Sequence, residues 1–207
     1  MSEWPQNGQH LEVEVKFLLS DRAALRQRLL AAGAELARPR LFERNVRFDT
    51  AGEKLRRQWQ LLRLRQDDRA RLTFKGEPPQ EVASEAKVRE ELETVVGDFN
   101  TTAAILERLG FVPQQVYEKY RETFRLGDVE VVLDEMPFGD FAELEGEESA
   151  IQAAAAALSL EWEGRILDNY LALMAQVQEY YDLPFSDLTF ANFAGLDVSM
   201  ADVLAAS

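Results

Sequence analysis

The chain has no cysteine and a single histidine. Disulfides, thiolate metal sites and cysteine nucleophiles are therefore excluded, and no histidine cluster can form. Any metal must be held by oxygen. Long apolar runs are also missing: the longest, such as residues 151 to 160, fall well short of the ~20 residues that a membrane span needs. The N-terminus lacks a basic-then-apolar signal pattern. A cytoplasmic protein without a membrane partner is expected. A surplus of positive charge is absent too. The formal net charge of -14 argues against nucleic acid as a partner, because binding a phosphate backbone requires a basic footprint. The deficit is uneven, since Arg165 is the one basic residue beyond Arg125. A locally basic environment can thus exist inside an acidic molecule, which suits a small enclosed anion better than an extended one.

What the chain does have is alternation. In Glu12-Val13-Glu14-Val15-Lys16 the charged residues share one face of a strand and the β-branched residues share the other. Leu61 to Arg65 and Arg71 to Gly76 alternate in the same way around a turn at Gln66 to Arg69, giving a hairpin with one basic face. Arg89, Glu91 and Glu93 share a parity that excludes Leu92. Lys119, Arg121, Thr123 and Arg125 share another, and Gly127-Asp128 turns that strand into Val129 to Asp134. Phe42 to Thr50 reads as a further strand, and Glu143-Leu144-Glu145 as a last one after a loop from Met136 to Phe141. Helices are expected from Ser20-Asp21 to Gly33, from an Asn100-Thr101 cap to Gly110, from Glu147 to Leu158 and from Arg165 to Tyr181. With 207 residues, 46% of them hydrophobic, no repeat and no linker, the chain reads as one domain with its core at about 11–170. The apolar tail at 182–207 either caps one end of the fold or joins a homodimer.

About eight strands then share one design, an apolar face and a face bearing both signs of charge. Helices over the apolar faces leave the charged faces to bulk water or to the inside of a closed barrel. The expected fold class is α+β, an eight-stranded antiparallel β-barrel with a polar lumen and helices packed outside. Seven acids (Glu12, Glu14, Glu91, Glu93, Asp134, Glu143 and Glu145) would oppose seven bases (Lys16, Arg63, Arg65, Lys75, Arg89, Lys119 and Arg121). A dry interior does not tolerate so many charges, because desolvation costs several kcal/mol per ion. Clustered carboxylates suit Mg²⁺ or Mn²⁺, and arginine forks and lysines suit phosphate oxygens. Together they point to a metal-bound phosphate chain.

The run Glu-Val-Glu-Val-Lys, followed in order by Leu-Arg-Leu-Arg, Leu-Thr-Phe-Lys-Gly, Arg-Glu-Glu-Leu-Glu, Lys-Tyr-Arg and Asp-Glu-Met-Pro-Phe-Gly-Asp-Phe-Ala-Glu-Leu-Glu-Gly, resembles the CYTH superfamily of triphosphate tunnel metalloenzymes. The resemblance extends from about Leu11 to about Tyr170. It implies a tunnel, a divalent metal and a substrate that is a triphosphate-bearing small molecule. By that resemblance Glu12, Glu14, Glu143 and Glu145 are metal carboxylates, with Asp134 on the same acidic side. Lys16, Arg63, Arg65, Lys75 and Arg121 are phosphate ligands. Arg89, Lys119, Glu91 and Glu93 fit by parity and serve either the ligand or salt bridges across the lumen. Lys16 is also the candidate for positioning or deprotonating an attacking water.

Two departures stand out. Several small triphosphatases of this superfamily carry a tyrosine that assists the lysine, where this chain has Arg47 and Phe48. The C-terminal lysine of animal and plant members has no counterpart after Lys119. The expected activity is hydrolysis of a triphosphate, inorganic tripolyphosphate first. Class IV adenylate cyclase, thiamine triphosphatase and a non-catalytic polyphosphate-binding module are the alternatives. His10 reads as a strand-edge residue, Trp4, Trp59 and Trp162 as packing, and Arg22, Arg26 and Arg28 as a solvated helix face.

Overall fold

The alternating segments pair into a closed ring. In a computed structural model, which describes residues 11–80 and 82–206, the strands are β1 (Leu11–Leu19), β2 (Glu35–Thr50), β3 (Leu61–Gln66), β4 (Ala70–Gly76), β5 (Lys87–Val96), β6 (Phe111–Leu126), β7 (Val129–Met136) and β8 (Gly139–Glu145). Their order around the ring is β1-β5-β4-β3-β2-β6-β7-β8, and β8 returns to β1. Every pairing is antiparallel. This is the expected eight-stranded antiparallel barrel. His10 and Trp4 lie outside the described residues.

Helices cover the ring from outside. Helices α1 (Arg22–Ala31) and α4 (Glu148–Ala157) bury Leu25, Leu29, Ile151 and Ala155 against Val15, Phe17, Val131 and Leu144 of the wall. The short α2 (Lys54–Arg57) precedes β3, and α3 (Phe99–Arg108) sets Phe99 and Leu106 on Val46, Phe48 and Leu64. No helix among the described residues is long and apolar enough to cross a membrane.

A third apolar cluster fills one end of the ring. Met136, Phe138 and Phe141 meet Leu173, Met174 and Val177 of α5 (Tyr170–Tyr181), Leu188 and Phe193 of the following segment, and Met200 and Val203 of α6 (Met200–Ala206). The C-terminal segment is stitched to the barrel where strands run past their neighbours. Lys16 and Ile166 exchange backbone hydrogen bonds of 3.2 and 2.7 Å beside β1, beyond the residues that β5 pairs. Leu188 bonds Val116 and Glu118 of β6 at 2.9 and 2.8 Å. The described residues of the tail therefore fold back onto the barrel.

Several local expectations are corrected. Strand β2 begins at Glu35, not Phe42, and carries Pro39 within the register shift between Arg38 and Leu41, where the missing N–H interrupts no regular ladder. The loop expected from Met136 to Phe141 is instead a two-residue turn between β7 and β8, with Phe138 1% exposed. Asp98, rather than Asn100-Thr101, caps α3 by accepting from Thr101 N at 2.6 Å. Helix α5 starts at Tyr170 because the residues before it are drawn into pairing with β1. Arg26 is not free in solvent; it bonds Glu122 at 3.0 Å. Trp59 does not pack: it is 76% exposed.

Candidate active site in the barrel lumen

The inward faces enclose a cavity of about 290 Å³. Strand β1 contributes Glu12, Glu14 and Lys16, β3 contributes Arg63 and Arg65, and β4 contributes Lys75. Lys87, Arg89, Glu91 and Glu93 come from β5, Tyr117, Lys119 and Arg121 from β6, Glu130 from β7, and Glu143 and Glu145 from β8. Each set has a two-residue spacing, so strand alternation alone aims it inward. The first turn of α5 adds Tyr170 and Leu171.

Ion pairs organise this surface into two regions. In one, Lys16 Nζ lies 2.8 Å from Glu143 Oε1, and Arg121 bonds both Glu143 and Asp134. Lys119 reaches Asp134 at 3.0 Å. Burial opposes charge on Lys16, yet Glu143 and Glu14 outweigh it and hold the ammonium above the ordinary lysine range. Burial likewise opposes ionisation of Glu143, but Lys16 and Arg121 keep it well below the usual carboxylate range. In the other region Lys75 bonds Glu12 at 2.6 Å and Lys87 bonds Glu14 at 2.8 Å. Between the two, Arg63 donates to Thr73 Oγ1 at 3.1 Å and Tyr117 Oη at 3.2 Å, and Arg65 pairs with Glu93 at 2.8 Å.

Carboxylates outnumber cations at one corner. Glu145 faces Glu14 across β1 and β8 and Glu130 across β7 and β8, and among the described residues no cation bonds it. Burial, then Glu130, push its carboxyl up to about 7, with Lys75 pulling the other way and Glu91 and Glu14 adding to the rise. Glu12 is raised to about 8, by burial first and then by Glu14 and Glu91, against the pull of Lys75. For Glu14 burial is outweighed by Lys16 and Lys87, which hold it at about 2.

A CYTH domain model matches residues 10–166. The chain belongs to the CYTH family. A Methanocaldococcus jannaschii protein named as a putative adenylate cyclase is 28% identical over 137 residues, which is 65% of this chain and 76% of that protein. Among solved structures, a putative adenylate cyclase from Vibrio parahaemolyticus matches with a TM-score of 0.72 and 20% identity, over 80% of this chain and 98% of that one. A putative adenylyl cyclase from Hippeastrum, described as having a dominant triphosphatase activity, matches with a TM-score of 0.57 and 20% identity, over 78% and 94%. These two structural likenesses concern the fold.

In this CYTH protein the lumen gathers every expected site residue but one. Asp134 has the inward parity of Glu130 but does not line the cavity; it is 0% exposed and is occupied by Lys119, Arg121 and Tyr170. Glu93 is bound to Arg65 and to Thr73, and Glu91 lies 3.1 Å from Lys75. Lys87 and Glu130 escaped sequence reasoning although parity with Arg89 and with Asp134 marks both. Tyr117 shares its parity with Lys119 and was recoverable in the same way. Tyr170 carries no such signal, because a helix from outside the ring delivers it.

The donor set fits a hard divalent cation. Glu14, Glu130 and Glu145 are adjacent in register, oxygen-only and short of counter-charge at Glu145. Among the described residues no three acidic or imidazole groups are drawn together closely enough to form a ready-made cage. A cation such as Mg²⁺ takes only one or two carboxylates and completes its shell with water and phosphate oxygens.

Proposed function

We propose that the protein hydrolyses a triphosphate, inorganic tripolyphosphate foremost, in a reaction that requires Mg²⁺ or Mn²⁺. The observation that carries this reading is the lumen itself, in which eight basic side chains interleave with seven carboxylates around about 290 Å³. A cavity of that size is small for a ligand site, so it suits a bare phosphate chain, with any organic substituent left outside.

Glu14 and Glu145, with Glu12 and Glu143 beside them, would hold the cation, which supplies charge neutralisation at phosphoryl oxygens when bound. The chain's own residues do the rest. Lys16, Arg63, Lys119 and Arg121 face the phosphate chain and stabilise charge on its equatorial oxygens. Lys16 enters as an ammonium, so in this reading it clamps and orients and is not the base. Lys75 and Lys87 are paired with Glu12 and Glu14. They become available to phosphate once those carboxylates turn to another cation. Water attacks the terminal phosphorus in line, the bridging bond breaks, and pyrophosphate and phosphate result.

The test is phosphate release from tripolyphosphate, ATP and thiamine triphosphate with each metal, repeated with Glu14→Gln and Glu145→Gln. Undiminished turnover in both variants would overturn the carboxylate assignment. The names of the Methanocaldococcus and Vibrio proteins support a second reading, cyclisation of ATP. Formation of cyclic AMP in place of free phosphate would establish it. Thermal protection by tripolyphosphate without turnover under any metal would mark a binding module instead.

A further inference from the structure

The C-terminal segment does more than cover the barrel. Asn169 Oδ1 accepts from Leu171 N and Ala172 N at 3.0 Å each, a cap that fixes the first turn of α5. The residue so fixed, Tyr170, is 6% exposed and lines the lumen. Its hydroxyl donates to Asp134 Oδ2 at 2.8 Å. That carboxylate also receives Lys119 at 3.0 Å and Arg121 at 2.7 Å. Two ammonium groups lie over the ring, Lys16 Nζ at 4.7 Å and Lys119 Nζ at 5.2 Å from its centroid, and the ring meets Phe141 edge to face at 5.2 Å.

A lysine head on a four-carbon stem has many rotamers and three equivalent donors. Glu143 at 2.8 Å from Lys16, and Asp134 at 3.0 Å with Glu43 at 3.8 Å from Lys119, attract the two heads without fixing their direction. A desolvated aromatic face within about 6 Å supplies a second, directional attraction. Here one face system serves both lysines. Burial, then Asp134 and Glu143, keep the phenol well above the ordinary tyrosine range, so it remains a donor.

We propose that Tyr170 is a positioning residue of the lumen: its ring aims Lys16 and Lys119 at the phosphoryl group, while its hydroxyl holds the Asp134 carboxylate that anchors Lys119 and Arg121. The inference rests on the proposed hydrolysis only for its kinetic consequence, because the placement of the two ammonium groups is measurable without turnover. A misplacement on the order of 1 Å costs about a hundredfold in rate.

The test compares Tyr170→Phe, which keeps the ring, with Tyr170→Leu, which removes it. Leu173→Ala disturbs the same helix through its core contacts and serves as control. In NMR spectra of the wild type, the side-chain protons nearest the Lys16 and Lys119 ammonium groups should be displaced by the ring current. Tyr170→Phe should keep the displacement, and Tyr170→Leu should abolish it. With tripolyphosphate, Tyr170→Leu should lower kcat by at least about tenfold while KM moves less, and Tyr170→Phe, which loses only the hydroxyl, should fall between Tyr170→Leu and the wild type. The proposal is overturned if the wild type shows no displacement, if folded Tyr170→Leu keeps its kcat, or if Leu173→Ala costs as much kcat as Tyr170→Leu. A wild type that shows the displacement but turns over no triphosphate refutes the hydrolysis and leaves the positioning standing.

Discussion

Replacing Glu145 with Gln in chelator-treated protein should change how stability depends on pH. Glu145 is half-buried among Glu130, Glu91 and Glu14, and its carboxyl is raised from 4.5 to about 7. Between those two values the native state keeps a proton that the unfolded chain has already lost. Unfolding is therefore favoured progressively as pH rises through the window, and the penalty is complete above about 7. At 1.36 kcal/mol per pH unit the shift corresponds to about 3 kcal/mol, which partial exposure and screening reduce to about 2. For a chain of this length that is about 5 °C in Tm. Glutamine has nearly the same shape and does not titrate. Thermal unfolding in EDTA should thus give matching Tm values near pH 4.5 and a Gln variant that is the more stable by about 5 °C at pH 8. Glu12 titrates in both proteins, so the difference between the curves isolates Glu145. Added Mn²⁺ should raise the wild type more than the variant. Curves that stay parallel across the range would refute the reasoning, because Glu145 would then have a counter-charge or free access to water.

Asp134→Asn leaves Lys119 and Arg121 around a neutral group in a buried place; a loss of about 3–5 kcal/mol is expected from urea unfolding, and a loss near zero would mean that the network relaxes. Arg63→Met removes a guanidinium that faces the lumen, donates to Thr73 and Tyr117 and lies 3.5 and 3.8 Å from Glu93 and Glu91. It should raise KM for tripolyphosphate by about tenfold or more, as expected for a charge-assisted bond, with little change in Tm. Leu188→Pro deletes the donor to Val116 O. Hydrogen exchange should quicken across α5 and α6 and stay slow in β3 to β5, and uniform acceleration would show that the C-terminal segment is not a separable unit.

The ring was legible because strand alternation has a period of two and the charges mark it at nearly every turn. Leu61 to Arg65 and Glu12 to Lys16 could face water or a lumen, and their shared design chose the lumen. The start of β2 was hidden because Pro39 and the arginines around it resemble a loop, whereas two register shifts accommodate them in a strand. Phe138 reads as a loop residue until the far end of the barrel supplies a core for it. Asp134 has the right parity but the wrong depth, and depth depends on which strands overlap. Tyr170 lay beyond reach for a plainer reason. Helical periodicity assigns it to an apolar face, and nothing local says that this face ends on a carboxylate and two lysines.

The apolar filling at one end of the ring gives the molecule an order of events. Among the described residues, the Lys16 and Lys119 region adjoins that filled end, and Glu12, Glu14 and Glu145 lie toward the other. Under the proposed hydrolysis, a phosphate chain entering such a vessel would go in end first, and pyrophosphate, the fragment farther from the filled end, would leave before the phosphate held against the lysines.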